Sequence, residues 1–386
     1  MNPAKIGIRT FPRLIHSKSR PEYSKKPPTG CAFAPLVKGS KTAFSHPLDD
    51  EKDYITFLQK ELPIECCEAM PETMSFKNRT SAMVKYNLPG FYTCWTFLPE
   101  LFFQFTAPPE LQTPENFWKC KILRACVDLK FSYTAVLDDI VDESDVRLHK
   151  PTWKHACPEG MHSALYDCLH LKDFPYYLIL KHFDGTPKCE KLLKTLMLAD
   201  RKQTIGSHID LISQQKAGNM ELEVAKTINR YKTGSYIAMQ APLGMIHAGI
   251  LDDELINSIV DIFTICGSMV QDWDDFTDYY CTSEQTGEPP SDLKNAGTTW
   301  ASATAFQHFT AEQRAIFKEC IGSDDPEKIE TVKKLYDSVD LVRLYVESMK
   351  KNTRVCLTLI EELDHPECQI ACISWLDWFV GDIFRR

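Results

Sequence analysis

The sequence predicts an all-α chain folded as one large helical bundle, and three observations predict it. Long stretches carry apolar residues at three- and four-residue spacings, the signature of helices with one buried face. Alternating runs of strand type are absent between them. Proline and glycine cluster at intervals, closing one stretch before the next begins. Helices with an apolar stripe and no sheet to cover it bury that stripe against one another.

In chain order, residues 1–47 form a basic arm and residues 48–386 a single all-α domain. The helical pattern runs through Phe117–Val136, Lys191–Gln214, Leu222–Met239, Asp253–Tyr280, Ala311–Cys320, Pro326–Leu363 and Glu367–Phe384. Breaks fall at Pro108-Pro109, Pro151, Pro158–Gly160, Gly185–Pro187 and Gly287–Pro290. No repeat of fixed period is present. With 386 residues and 44% hydrophobic content, the chain is long enough for a large core.

Charge divides the chain. Residues 1–42 hold nine Lys or Arg and one acid, Glu22, a net of +8 that leaves −17 on the rest. An acidic body argues against nucleic acid as a partner. It is compatible with a phosphorylated substrate, because acids hold a metal that holds the phosphate. The arm is acid-poor and broken by Pro12, Pro21, Pro27, Pro28 and Pro35, which fits either a mitochondrial transit peptide or a disordered basic arm. Fifteen cysteines without a C-x-x-C pair read as reduced thiols in an intracellular compartment, cytoplasm or mitochondrion. No transmembrane segment is expected, since no run reaches 18 apolar residues.

Two acidic motifs carry the chemistry. Asp138-Asp139-Ile140-Val141-Asp142 follows the apolar run Phe131–Leu137, and Asp274-Asp275-Phe276-Thr277-Asp278 follows the apolar run Ile259–Val270. On a helix, Asp138 and Asp142 share a face, as do Asp274 and Asp278. Like charges at that spacing repel, and a cation removes the cost. Mg²⁺ prefers carboxylate oxygens shared with substrate phosphates. A single motif of this kind reads as a solvated face. Two matching motifs 136 residues apart, each at the end of an apolar helix, read as a metal-binding pair.

At these residues the chain resembles the trans-isoprenyl diphosphate synthases, the farnesyl diphosphate synthase family. The resemblance runs from about Met83 to the C-terminus. It takes in Lys85-Tyr86-Asn87, Arg147 with Lys150-Pro151-Thr152-Trp153, Gly206 to Leu211, and Tyr231-Lys232-Thr233. It continues through Thr286-Gly287 and Ser291-Asp292 to Trp300, and ends at Arg385-Arg386. It implies an all-α prenyl-synthase fold, a homodimer and three Mg²⁺ ions. It also implies metal roles for Asp138, Asp139, Asp142, Asp274, Asp275 and Asp278. Arg147, Lys232, Thr233 and Gln271 would hold the allylic diphosphate.

The departures carry more information. Family prenyltransferases bind isopentenyl diphosphate in a basic, metal-free pocket. Here Leu88 and Leu148 stand at arginine positions, Phe131 at a polar one, Glu288 at a lysine and Gly297 at a further lysine. Each charge-assisted hydrogen bond contributes about 1.5–3 kcal/mol. Three lost donors cost on the order of 4–9 kcal/mol if additive, with Lys85 and the C-terminal arginines retaining part of the binding. The chain is thus similar to insect terpene synthases derived from that family. It is expected to ionise farnesyl diphosphate and rearrange the cation to a sesquiterpene. The competing readings are a working prenyltransferase and a silent partner subunit, the latter opposed by the complete motifs.

A carbocation needs aromatic faces, each contributing about 2 kcal/mol when desolvated. Phe131, Tyr133, Tyr236, Trp273 and Phe276 are candidates, and Phe131, seven before Asp138, points toward the diphosphate. Thr134 lies on the pocket floor if the family geometry holds, with Tyr133 preceding it, and one large and one small residue suit fifteen carbons, with ten or twenty the alternatives. His149, His208 and His247 show no ligand spacing. His208 reads as a core histidine, with a late base the alternative.

Overall fold

The computed structural model describes residues 51–88, 95–214, 220–281 and 291–384. The basic arm, Thr286-Gly287-Glu288 and Arg385-Arg386 lie outside them. Sixteen α-helices occupy the described residues. They are α1 Glu51–Lys60, α2 Leu62–Glu68, α3 Met74–Asn87, α4 Leu98–Thr106, α5 Pro114–Val141 and α6 Trp153–Ala156. Next come α7 Met161–Phe183, α8 Pro187–Gln214, α9 Leu222–Tyr231, α10 Thr233–Ala248 and α11 Asp253–Tyr280. The last five are α12 Trp300–His308, α13 Ala311–Cys320, α14 Pro326–Ser338, α15 Leu341–Glu361 and α16 Pro366–Phe384. Strand among the described residues is a two-residue antiparallel hairpin, β1 Val146–Arg147 with β2 Lys150–Pro151.

Local signals set the ends of the long helices. Thr113 caps α5 by accepting from the Asn116 N–H, with Pro114 in the first turn. Asp252 caps α11 through the Leu255 N–H. Helix α10 is the axis of the bundle: every residue from Gly234 to Ala248 is buried. It packs on α11, α4, α8 and α5. Its apolar side chains, among them Ile237, Leu243, Met245 and Ile246, each contribute about 1.5–3 kcal/mol on burial. Helices α10 and α11 touch backbone to backbone, since a Cβ on Gly267 would stand 2.7 Å from the Gly234 Cα.

Two expected helices are each divided in two. The stretch Leu222–Met239 breaks at Lys232, whose backbone (φ −76°, ψ −95°) leaves the helical region between α9 and α10. The stretch Pro326–Leu363 breaks at Val339 and Asp340. Asp340 adopts a left-handed conformation and caps α15 through the Arg343 N–H. Neither break has proline or glycine at the turning residue. Conversely, Pro175 sits inside α7 and Pro242 inside α10 without ending either helix.

Candidate active site

Three long helices, α5, α8 and α11, bring residues near their C-terminal ends to one cavity of about 250 Å³. Helix C-termini carry roughly half a negative charge each, so this mouth attracts cations before any side chain is counted. The side chains add to it. Asp138 and Asp142 come from the end of α5, Asp210 from α8, Asp274 and Asp278 from α11, and Asp292 from the following loop. Spacing then sorts the walls by depth. Phe131 and Thr134 precede Asp138 by seven and four residues, and Gln203 precedes Asp210 by seven. Those intervals keep one helix face and step inward, about 10 Å for seven residues. The cavity is therefore acidic at its mouth and largely apolar beneath it.

Lys232 stands among these acids. Its Nζ lies 3.4 Å from the Asp138 carboxylate and 3.1 Å from that of Asp210. Burial works against the ammonium, but Asp138, Asp210 and Asp142 outweigh it and hold it well above its usual range. The break between α9 and α10 delivers this residue, and Gly206 admits it. A Cβ at Gly206 would meet the Lys232 backbone N at 2.5 Å, so only glycine lets α8 approach the junction this closely.

The acids divide by orientation. Asp142 is exposed at the mouth beside Asp138, and partial desolvation there together with the Asp138 charge pushes its carboxyl up to about 6 against the pull of Lys232. Asp274 is exposed to the cavity, and its enclosure raises it too, opposed by Lys232. Asp275 is turned inward, accepting the Trp300 N–H at 2.7 Å and the Gln271 amide at 2.9 Å. Asp278 accepts the backbone N–H groups of Ser291 and Asp292, at 3.1 and 3.0 Å, and burial holds it at about 6. Gln271 also donates to Asp274 and is itself held by the Thr233 hydroxyl. Asp138, Asp142 and Asp274 thus face the cavity, while Asp275 and Asp278 tie the wall together.

The geometry departs from four sequence expectations. Asp139 does not face the mouth with Asp138: one residue along a helix is about 100° around it. It is buried and pairs with the Arg147 Nε at 2.9 Å. Tyr133 is buried behind the wall, its ring 5.4 Å from the Lys172 ammonium, so it forms no pocket floor. Lys85 is exposed on α3 and lines no part of the cavity. His208 is likewise exposed outside it, not a core histidine. Phe131, Thr134, Asp138, Asp142, Arg147, Lys232, Thr233, Gln271, Asp274, Asp275 and Asp278 all line it.

The deep half is ringed by aromatic side chains. Phe131 and Tyr236 meet edge to face at 5.6 Å, and Trp95 and Trp273 lie 5.8 Å apart. The Tyr236 hydroxyl donates to Asp200 at 3.1 Å, and Asp200 pairs with buried Lys130 at 2.6 Å, which fixes the ring. Gln203 stands in the same wall. Its Nε2 donates to Ser207 at 2.8 Å, whereas its buried Oε1 accepts from no protein group. An unmet buried acceptor costs about 1–3 kcal/mol. Sequence reasoning passed over Gln203, and it included Asp210 in the Gly206 to Leu211 stretch without giving it a role. The seven-residue interval between them was the available signal.

A second cavity of about 50 Å³ lies beside the first, lined by Tyr86, Asn87, Asp139, Lys150 and Trp153, with Ala135, Arg147 and Leu148 in the walls of both. Leu88 is buried in the core, Leu148 lines this cavity, and the Arg147 Nε is committed to Asp139.

The donors at the main mouth are all hard oxygens. Among the described residues, no three acidic, His or Cys side chains converge on one point as a ready-made cage. That fits Mg²⁺, which takes one or two carboxylates and completes its shell with water and phosphate oxygens.

Known proteins share this chain's pattern. A polyprenyl synthetase family model matches residues 95–339. A sesquiterpene alcohol synthase of Murgantia histrionica is 40% identical over 367 residues, spanning 95% of this chain and 94% of that protein. An IDS-type sesquiterpene synthase of Nezara viridula is 30% identical over 336 residues, 87% of this chain and 89% of that one. A farnesyl pyrophosphate synthase of Murgantia histrionica is 25% identical over 299 residues, 77% and 73% of the two chains.

Proposed function

The chain belongs to the polyprenyl synthetase family, and from that premise we propose that it is a sesquiterpene synthase that ionises farnesyl diphosphate and rearranges the carbocation. The observation that carries this reading is the contrast between the two cavities. The main one keeps both acidic motifs and Lys232, while the small one, which shares Arg147 and Leu148 with it, has Lys150 in its wall and the Arg147 Nε held by Asp139. A metal-free diphosphate pocket needs several cationic donors, and the small cavity offers Lys150 and an Arg147 whose Nε is already engaged by Asp139.

Asp138, Asp142 and Asp274 would hold Mg²⁺, three ions by the family resemblance, and the metal would neutralise the diphosphate so that it leaves. Lys232 then exchanges part of its contact with Asp138 and Asp210 for a diphosphate oxygen. Gln271 and Thr233 hold Asp274 and Asp275 in place. Phe131, Tyr236, Trp95 and Trp273 exclude water from the bound chain and present ring faces to the cation.

The deciding experiment incubates purified protein and Mg²⁺ with farnesyl diphosphate, with and without isopentenyl diphosphate. A hydrocarbon or alcohol from farnesyl diphosphate alone, and no longer diphosphate when isopentenyl diphosphate is added, is the expected result. Efficient condensation to diphosphates only would replace this reading with a prenyltransferase.

A homodimer fits the exposed apolar side chains on neighbouring helices: Tyr166 (71% exposed) and Leu169 (53%) of α7, Met197 (60%) and Leu198 (51%) of α8. Light scattering at micromolar concentration should return twice the chain mass. The described cysteines are all free, which supports a reducing intracellular location, cytoplasm or mitochondrion, to be checked with a C-terminal fluorescent fusion.

A further inference from the structure

Gln203 has no part in the chemistry above, yet it is a polar side chain set into the apolar half of the cavity. It is 2% exposed. Its amide is oriented by the Nε2 bond to Ser207, and the buried Oε1 is left without a protein donor. Two other polar groups of the wall are already occupied. The Thr134 hydroxyl donates to the Phe131 carbonyl at 2.9 Å, and the Asn229 amide donates to Asp272 at 2.7 Å.

The substrate cannot satisfy this acceptor. A prenyl chain has no O–H or N–H, and a metal-bound diphosphate offers acceptors rather than donors. Water is the small molecule that can donate here. A water that gives one hydrogen to Oε1 keeps its lone pairs free toward the hydrocarbon. The position suits the purpose: Gln203 lies seven residues below Asp210, about 10 Å from the mouth, level with the cation rather than the leaving group.

We propose that Gln203 is a positioning residue that holds a water molecule against the hydrocarbon end of the bound chain, and that this water captures the carbocation to give a sesquiterpene alcohol. The water oxygen forms the new C–O bond with one lone pair. The resulting oxonium loses one proton to further water in the cavity, and that proton ends on the diphosphate released on ionisation. Allylic diphosphate and water become alcohol and hydrogen diphosphate, with no change of oxidation state overall. The proposal rests on the terpene-synthase reading.

The test measures diphosphate release and volatile products together, from farnesyl diphosphate and Mg²⁺ in ¹⁸O-enriched water. Wild-type protein should yield an alcohol carrying ¹⁸O. Gln203→Leu should release diphosphate within about threefold of the wild-type rate while its alcohol fraction falls at least tenfold in favour of hydrocarbons. Gln203→Glu, which keeps an acceptor, should retain the alcohol. A role in folding alone would lower all products together. If Gln203→Leu fails to fold, Gln203→Met removes the acceptor at similar length and is read in the same way. An unchanged alcohol fraction in either variant, an unlabelled alcohol, or a wild type making hydrocarbon only, each overturns the proposal while leaving the synthase reading intact. Absence of any wild-type diphosphate release from farnesyl diphosphate overturns the synthase reading itself.

Discussion

Single residues in this protein carry opposite electrostatic burdens. Desolvation in the cavity raises the Asp274 carboxyl against the pull of Lys232 and Arg147, so the metal-free fold gains little from its charge. Asp274→Ala should lower turnover by about a thousandfold, the scale of losing a key electrostatic contact. The melting temperature of the metal-free protein should stay level or rise, as a thermal melt in chelator will read. His247 is the reverse case, a neutral side chain in the core. It stacks on Phe103 at 4.6 Å, and its Nε2 contacts the Asn116 carbonyl at 2.9 Å. Burial lowers it to about 4, and Lys188 and Lys119 push the same way. The unfolded chain binds a proton near 6.5 that the fold refuses, so stability present above pH 6.5 is lost as pH falls toward 4. The loss is on the order of 3 kcal/mol. Urea titrations across that window should show the slope, and His247→Phe should flatten it relative to wild type.

At the scale of elements, the approach of α8 to the α9–α10 junction decides whether the mouth exists. Gly206→Ala places a methyl 2.5 Å from the Lys232 backbone N and 2.8 Å from the Tyr231 carbonyl carbon, both rigid backbone atoms. The helices must separate, costing about 1–3 kcal/mol of stability. kcat/KM should fall at least tenfold, out of proportion to the stability change, because Asp210 and Lys232 move apart. Steady-state kinetics and a melt on the same preparation check both. Sequence shows this element poorly. The acidic motifs were legible because i, i+4 spacing is local and each motif caps an apolar run. The Lys232 break was not, because Tyr231-Lys232-Thr233 continues a helical pattern and the turn is imposed by packing against α8 and α11. Asp139 and Tyr133 turn away from the cavity for one shared reason: neighbours in sequence lie about 100° apart on a helix, so a place beside Asp138 or Thr134 does not confer its direction. Lys85 was assigned by resemblance alone, and α3 turns it to solvent.

Across the whole molecule, the bundle was legible from periodicity and breakers, since sixteen helices and one short hairpin account for the regular structure of the described residues. The depth profile of the cavity was not, because it arises from three helices far apart in sequence ending together. That convergence has a consequence for ligand order. In the ligand-free fold Lys232 serves as a resident counter-ion, neutralising Asp138 and Asp210 at 3.4 and 3.1 Å. Magnesium arriving alone competes with an ammonium already in place. Diphosphate arriving alone meets a wall of carboxylates. On the proposed function they would exchange partners together, the metal taking Asp138 and the ammonium taking a phosphate oxygen. Their affinities are then linked, and linkage is reciprocal: the factor by which Mg²⁺ tightens diphosphate equals the factor by which diphosphate tightens Mg²⁺. Calorimetric titration of each in the presence and absence of the other should give the same coupling, about 1–3 kcal/mol. Lys232→Met should leave Mg²⁺ binding alone stronger and the coupling smaller, as expected of a site that stores its own exchangeable charge.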